Sequence, residues 1–363
     1  MDSNTFCVIM AGGIGSRFWP YSRTGRPKQF LDILGTGQTL IQQTIRRYRN
    51  ICPVENILIV SNEEYGPLIM EQLPEIQASQ ILLEPLRRNT APCIAYANQR
   101  IAMLNPDANI IVAPSDHLIL DDREFERVVQ EGLEFVKSRD VLLTLGIRPN
   151  RPETGYGYIQ INGHEDQVGN KCLRPVKTFT EKPGIDLARI FVESGDFFWN
   201  SGMFIWSLRS ISRAFEKYLP EINGLFNDGQ QLYGTPEETP FIRQVYAACD
   251  KISIDYGIME KADNVFVLCA DFGWSDLGTW GSLYEHLLHD DSENAIGGGQ
   301  AITFDANRNV IHVPKGKLTV LQGLDDFIVV DTDDVLLICR KEDEQQIRMM
   351  VDETKIRGGE KYI

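Results

Sequence analysis

The chain has 363 residues, 43% of them apolar and 24% charged, enough for one large domain and a smaller one of ordinary globular composition. Its net charge of −15 excludes nonspecific nucleic-acid binding, which relies on a basic surface, but allows a small polyanion held by a few local Arg and Lys. The N-terminus has no basic n-region or apolar h-region, and no apolar run approaches the ~20 residues of a membrane helix, so a cytoplasmic protein with no membrane partner is expected. Seven cysteines without a C-x-x-C pair read as reduced thiols.

In chain order, the first ~150 residues alternate near-continuous apolar runs with amphipathic stretches, the pattern of βα units on a mostly parallel sheet. Strands are expected at Thr5–Met10, 56–60, 80–83, 109–113 and 141–145. Leu40, Ile41, Thr44, Ile45 and Tyr48 share one helix face behind a Thr39 N-cap, and a second helix follows Asn89-Thr90 with Pro92 in its first turn. From Thr154 the texture changes, with alternating strands at 155–161 and 176–181 and helices over 185–194, 208–219 and 284–289. His286 and His289 fall on the last of these with no Cys or carboxylate motif to complete a zinc site, so they read as surface residues. Beyond Gly297-Gly298-Gly299 the chain is strand-like at 302–304, 310–313, 318–321, 327–330 and 335–339, then polar and helical over 342–351. The triple glycine marks the expected division into domains 1–296 and 297–363. Evenly spaced short strands permit a small solenoid, though no fixed period emerges.

The most informative stretch is Met10-Ala11-Gly12-Gly13-Ile14-Gly15-Ser16-Arg17-Phe18-Trp19-Pro20, followed by Arg26-Pro27-Lys28-Gln29-Phe30. It leaves the first strand at its carboxyl end, where open α/β sheets bind ligands. Three glycines let backbone N–H groups approach a phosphate, and Arg17 and Lys28 add positive charge. The Gly-Lys-Ser/Thr of a Walker A loop is absent, and Phe18-Trp19-Pro20 replaces the helix start that a dinucleotide fingerprint needs. Farther on, Glu84-Pro85-Leu86-Arg87-Arg88-Asn89-Thr90-Ala91-Pro92 follows a strand and opens a helix. Taken alone, it reads sooner as a capped helix with solvated arginines than as a base-binding segment. Ala113-Pro114-Ser115-Asp116-His117 and Phe272-Gly273-Trp274-Ser275-Asp276-Leu277-Gly278 each place a carboxylate at a strand end, a position where Asp is also a common turn residue.

These motifs, in this order over residues 5–290, resemble the signature of the sugar nucleotidylyltransferase family, and Trp19-Pro20 with Pro27-Lys28-Gln29-Phe30-Leu31 resembles its mannose-1-phosphate guanylyltransferase branch. Phe18 and Tyr21 stand where that family more often has leucines, and Arg87 where longer relatives commonly have Gly. The resemblance implies an α/β fold, a Rossmann-like, mostly parallel mixed sheet of the glycosyltransferase-A type. The tail resembles a small β module, the short left-handed β-helix of single-function members. With no His beyond His312, isomerase activity is not expected.

The implied activity is transfer of GMP from GTP to mannose 1-phosphate, releasing pyrophosphate. Ala11, Gly12, Gly13, Gly15 and Ser115 would surround the nucleotide, with Arg17 and Lys28 as catalytic cations. Glu84, Arg88, Asn89 and Thr90 would read the guanine, and Asp116 and Asp276 would hold Mg2+, which takes few protein oxygens and several from phosphate. Glu181 and Asn200, from Thr178-Phe179-Thr180-Glu181-Lys182-Pro183 and Phe198-Trp199-Asn200-Ser201-Gly202, would bind sugar hydroxyls. Lys182 would bind the sugar phosphate, and Gly157 would let the backbone approach the ring. Trp199 reads equally as core and as site. Another nucleotide or hexose 1-phosphate stays open, as does a homodimer. A non-catalytic regulatory relative would be expected to have lost Arg17, Lys28 or the two aspartates, and all are present.

Overall fold

The computed structural model describes residues 2–161 and 172–363. Compactness divides the chain into two units. Met1–Gly12, Ile45–Ser115 and Ile119–Trp274 form the first, and Gly13–Thr44, Asp116–Leu118 and Ser275–Ile363 form the second.

The first unit is built on nine strands: β1 (Thr5–Met10), β2 (Ile57–Asn62), β3 (Ile81–Glu84), β4 (Asn109–Pro114), β6 (Leu142–Ile147), β7 (Gly157–Ile161), β8 (Leu173–Glu181), β9 (Phe197–Ser207) and β10 (Val265–Ala270). The two-residue strands β5 (Leu118–Ile119) and β11 (Trp274–Ser275) lie outside this sheet. Its order is β3-β2-β1-β4-β9-β6-β10-β8-β7. The first four pair in parallel and β6 pairs in parallel with β10, while β9 and β8 run against their neighbours. β1, β2 and β6 are buried throughout or nearly so, which explains their apolar runs, since helices cover both faces of such strands. Each of the five expected early strands lies within two residues of an observed one. The long strand β9 carries the Phe198–Phe204 motif residues through the middle of the sheet. Its core contacts include Phe204 stacked on the fully buried Trp206 at 5.4 Å. The helices Ile185–Ser194 and Leu208–Tyr218 are where the sequence puts them.

In the second unit, β12 (Ala295–Phe304), β13 (Val310–Gln322) and β14 (Phe327–Asp331) pair in parallel, and β15 (Leu336–Arg340) closes antiparallel on β14. Parallel neighbours normally need a crossover of a dozen or more residues. Here five residues link β12 to β13, because each turn of a coil lays the next strand beside the last. Gln300 faces Leu318 and Val310 faces Ile328, each eighteen residues on, whereas Ala295 faces Val310 only fifteen on. That unequal step hides the period in the sequence. Buried Asn294 and Asn309 stack between turns, the Asn294 Oδ1 accepting from the Asn309 N–H at 3.1 Å and the Asn309 Oδ1 from the Phe327 N–H at 2.8 Å.

The division by contacts differs from a single cut at residue 296. Phe18, Trp19, Leu31, Leu118, Leu277 and Trp280 form one apolar cluster with Val310, Ile328 and Ile347, so 13–44, 116–118 and 275–296 group with the C-terminal strands. The helix expected over 284–289 is instead Trp280–Tyr284, capped by Thr279. His289 lies beyond it, stacked on Tyr284 at 4.3 Å. The polar tail is a 3-10 stretch, Lys341–Gln346, followed by the helix Ile347–Gly358. None of the seven cysteines is in a disulfide.

The triple glycine lies inside β12, where the register slips between Gly298 and Gln300. Gly298 has φ +81°, and a Cβ there would fall on the Val313 carbonyl oxygen. Gly298→Ala therefore combines a left-handed backbone with a clash against main chain. It should destabilise the protein by about 2 kcal/mol or more, read as a lowered Tm. An unchanged Tm would disprove this account of the glycine.

Candidate active site

Lys28 organises the candidate site residues in the second unit. Its side chain is 3% exposed, and its ammonium lies 2.8 Å from Asp116 Oδ2. It also donates to the carbonyl oxygens of Asp276 at 2.7 Å and Leu277 at 3.0 Å. An ammonium has three protons, and these three acceptors engage them all. The resemblance assigns Lys28 to the triphosphate; in the structure its ammonium ties the Asp116 loop to the Asp276 loop. The Phe18 ring lies 5.6 Å from the same nitrogen. Gly15 sits over the lysine stem with φ +70°, and a Cβ there would come 2.5 Å from Lys28 Cβ. Gly15 is therefore required for packing as well as for access.

The rest of the loop divides between anchoring and open positions. The Gly13 carbonyl accepts from Gln29 Nε2 at 2.9 Å, while the space above its Cα is empty. Arg17 lies in the 3-10 turn Ser16–Phe18, with its Nε buried and lacking an acceptor. Burial acts to raise the Asp116 pKa, but the charges of Lys28 and His117 outweigh it and hold the carboxyl below its ordinary range. Asp276 Oδ1 accepts from the Gly278 N–H at 2.8 Å.

In the first unit the nucleotide segment is more committed than the sequence suggests. The Ala11 N–H goes to the Val60 carbonyl at 2.8 Å, and the Ala11 carbonyl accepts from Ser61 Oγ, so Ala11 places the loop and does not offer its N–H. Ser115 is buried, its N–H on the Met10 carbonyl at 3.1 Å. The arginines are not simply solvated. Arg88 Nε donates to the Tyr246 carbonyl at 3.0 Å, near the C-terminus of the helix Glu238–Ala248, and Arg87 donates to the Tyr65 hydroxyl at 2.7 Å. Asn89 opens the helix Thr90–Leu104 at φ +66° yet makes no capping bond, so this strained residue does not serve the helix. Thr90 Oγ1 accepts from the Ile254 N–H at 2.8 Å. Glu84 is buried behind Gly12 and accepts from the Tyr246 hydroxyl at 2.9 Å. Burial pushes its carboxyl up to about 7, against the pull of Tyr246 and Arg87.

The sugar motifs converge, also within the first unit, on a residue that the sequence reading missed. Asn200 Nδ2 donates to Asp255 Oδ1 at 2.8 Å, and Asn200 Oδ1 accepts from Thr144 Oγ1 and from the Gly202 N–H. Burial, then the charge of Glu181, raises the Asp255 carboxyl to about 6. Glu181 is 8% exposed, pairs through Oε1 with Lys182, and leaves Oε2 buried without a partner. A Cβ at Gly157 would land on that Oε2, so only glycine leaves the carboxylate room. An orphaned carboxylate oxygen is costly unless a ligand donor meets it. Trp199 is 4% exposed with Tyr156 edge-on at 5.1 Å, a core position. Asp255 begins the π-helical turn Asp255–Met259 and belongs to no recognised motif, so no signal in the sequence marks it.

No group of three or more His, Cys, Asp or Glu suited to a metal occurs among the described residues. Mg2+ is commonly bound through one or two carboxylates plus water and phosphate oxygens. The Asp116 carboxylate and the Asp276 backbone carbonyl meet one ammonium, and both side chains offer the hard oxygen donors that such an ion takes.

Glu84 titrates at about 7 in the fold against 4.5 as a free side chain, so between those values the folded state keeps a proton that the unfolded chain has lost. Its contribution to stability therefore falls as pH rises through that window. Glu84→Gln keeps an acceptor for Tyr246 and removes the titration. Urea unfolding should show a flatter pH dependence from 5 to 8, with the variant at least as stable as wild type at pH 8. A variant less stable at pH 8 would contradict this.

A nucleotidyl transferase family model matches residues 6–293, and a MannoseP isomerase/GMP-like beta-helix domain model matches 299–354. The chain is 35% identical over 368 residues to the mannose-1-phosphate guanylyltransferase ManC of Salmonella typhimurium, covering 99% of this chain and 75% of that protein. It is 34% identical to the mannose-1-phosphate guanylyltransferase of Escherichia coli, covering 99% of this chain and 76% of that protein. Among solved structures it resembles a Thermus thermophilus protein described as a mannose-1-phosphate geranyltransferase, with a TM-score of 0.84, 30% identity, and 97% and 99% of the two chains covered. The strands, the glycine loop and these relatives agree: the chain belongs to the nucleotidyl transferase family, beside members named mannose-1-phosphate guanylyltransferase.

Proposed function

We propose that the protein transfers GMP from GTP to mannose 1-phosphate, forming GDP-mannose and pyrophosphate. The observation that carries this reading is the Lys28 ammonium, which ties Asp116 to the Asp276 loop beneath a glycine-rich turn bearing Arg17. A phosphate oxygen of mannose 1-phosphate attacks the α-phosphorus of GTP, and the bond to the β-phosphate oxygen breaks. The nucleophile is already an anion near neutral pH, so no side-chain base is needed, in keeping with motifs that carry no His or Ser nucleophile. What remains is positioning and charge neutralisation. Asp116 and Asp276 would hold Mg2+, which when bound neutralises charge on phosphate oxygens. Arg17 supplies a guanidinium to the triphosphate. Glu181 Oε2 accepts from a sugar hydroxyl, with Asp255 and Asn200 fixed beside it, and Lys182 reaches the sugar phosphate. Asn89 and Thr90 border the guanine, while Arg88 secures their loop.

Asp116→Asn and Asp276→Asn keep the side-chain shape and remove a charge. Turnover should fall about 100-fold or more in each, with Tm close to wild type for Asp276→Asn and lowered for Asp116→Asn, which takes the counter-charge from buried Lys28. Near-normal rates in both would remove the metal assignment.

A panel crossing four nucleoside triphosphates with several sugar 1-phosphates tests the substrates directly. With mannose 1-phosphate saturating, kcat/KM for GTP should exceed that for ATP, UTP and CTP by about 100-fold or more, since a site shaped for guanine leaves polar groups unpaired with other bases. Asn89→Ala should narrow that advantage, whereas Arg88→Ala should chiefly lower Tm. Equal use of ATP or UTP would keep the reaction class and overturn the guanylyl assignment.

A further inference from the structure

The C-terminal helix Ile347–Gly358 carries a cation that no motif marks. Ile347 is fully buried, and with Met350 and Val351 beside it enters the apolar cluster that holds Phe18, Trp19, Leu277 and Trp280. The helix thus lies against the turn Ser16–Phe18, whose middle residue is Arg17. Two hydrogen bonds fix this seat. Glu344 Oε2 accepts from the Gly281 N–H at 2.8 Å, and Trp19 Nε1 donates to the Tyr362 carbonyl at 2.7 Å. Arg348 follows Ile347 on this helix, near enough to the turn for its charge to interact with that of Arg17.

Neither guanidinium has an ion pair among the described residues, and the Arg17 Nε is buried without an acceptor. Asp352 lies four residues on from Arg348 in the helix, the spacing at which Arg127 pairs with Glu131, yet no ion pair joins the two. Glu344 belongs to the preceding 3-10 stretch and turns to the Gly281 N–H. Arg348 is exposed along much of its length, and partial desolvation, then the neighbouring Arg17 charge, lowers its pKa from the ordinary value. The chain has 51 acidic against 36 basic residues, yet these two like charges share a place without a counter-charge. Such a pair is repulsive unless a multiply charged anion meets both.

We propose that Arg348 is a second guanidinium for the donor's triphosphate and for the departing pyrophosphate, a proposal that rests on the nucleotidyl transfer described above. As the α-phosphorus bonds to the sugar-phosphate oxygen, its bond to the β-phosphate oxygen breaks and pyrophosphate leaves with that electron pair. No proton is required. The added negative charge develops on the leaving group, where Arg17 from the loop and Arg348 from the C-terminal helix both donate.

The test uses the full chain carrying Arg348→Ala, Arg348→Lys or Arg348→Glu. GTP and mannose 1-phosphate are assayed forward, GDP-mannose and pyrophosphate in reverse, and pyrophosphate binding by calorimetry. Arg348→Ala should raise KM for GTP and for pyrophosphate about tenfold or more, with KM for mannose 1-phosphate and Tm unchanged. Arg348→Lys should recover part of the loss, and Arg348→Glu should lose more than Arg348→Ala at equal Tm. GTP and pyrophosphate constants within about twofold of wild type would overturn the proposal, as would a loss shared with mannose 1-phosphate or equal losses in the Ala and Glu variants. If wild type made no nucleotide sugar from any triphosphate, the functional reading would fall. Pyrophosphate calorimetry on wild type and Arg348→Ala would still decide the role of Arg348.

Discussion

A buried ammonium sets the terms for the catalytic loops. Lys28 is almost wholly removed from water, so each of its three protons must meet an oxygen or the fold loses several kcal/mol of solvation. The oxygens come from Asp116 and from the Asp276–Leu277 backbone, two loops far apart in sequence. Satisfying the lysine therefore places the aspartates. Gly15 exists to let the lysine stem pass, and Phe18 covers the charge with its ring.

Within the first unit, a different device joins the nucleotide and sugar segments. The Ile252 N–H bonds to the Arg88 carbonyl, the Ala91 N–H to the Ile252 carbonyl, and the Ile254 N–H to Thr90 Oγ1. The segment that supports the nucleotide loop thus leads directly into Asp255, beside Asn200 and Glu181. Two carboxyls raised or left unpartnered by burial are poor contributors to stability, the kind of group that functional sites concentrate.

Much of this was legible in the sequence where the signal is local. Buried strands announce themselves as apolar runs, and the glycine loop, Glu181 and the two aspartates sit in recognisable strings. What escaped notice depends on contacts between distant segments. Asp255 is one aspartate in Ile252-Ser253-Ile254-Asp255, and only the non-sequential sheet order brings it to Asn200. Arg348 lies on a polar helix with nothing to set it apart. The coil of the C-terminal strands was masked because its first step is three residues shorter than the next. The triple glycine looked like a linker because flexibility and close backbone packing both call for glycine, and here packing is the reason.

The apolar seat shared by Phe18, Trp19 and the C-terminal helix bears on how such chains can be recombined. A chimera joined near residue 296 would bring a C-terminal module from one parent to a loop shaped against that of another. Only when the segment around Phe18 and Trp19 travels with its own module would the shapes still match. The units of this protein that would have to move together are thus interleaved in sequence, with residues 13–44, 116–118 and 275–363 as one.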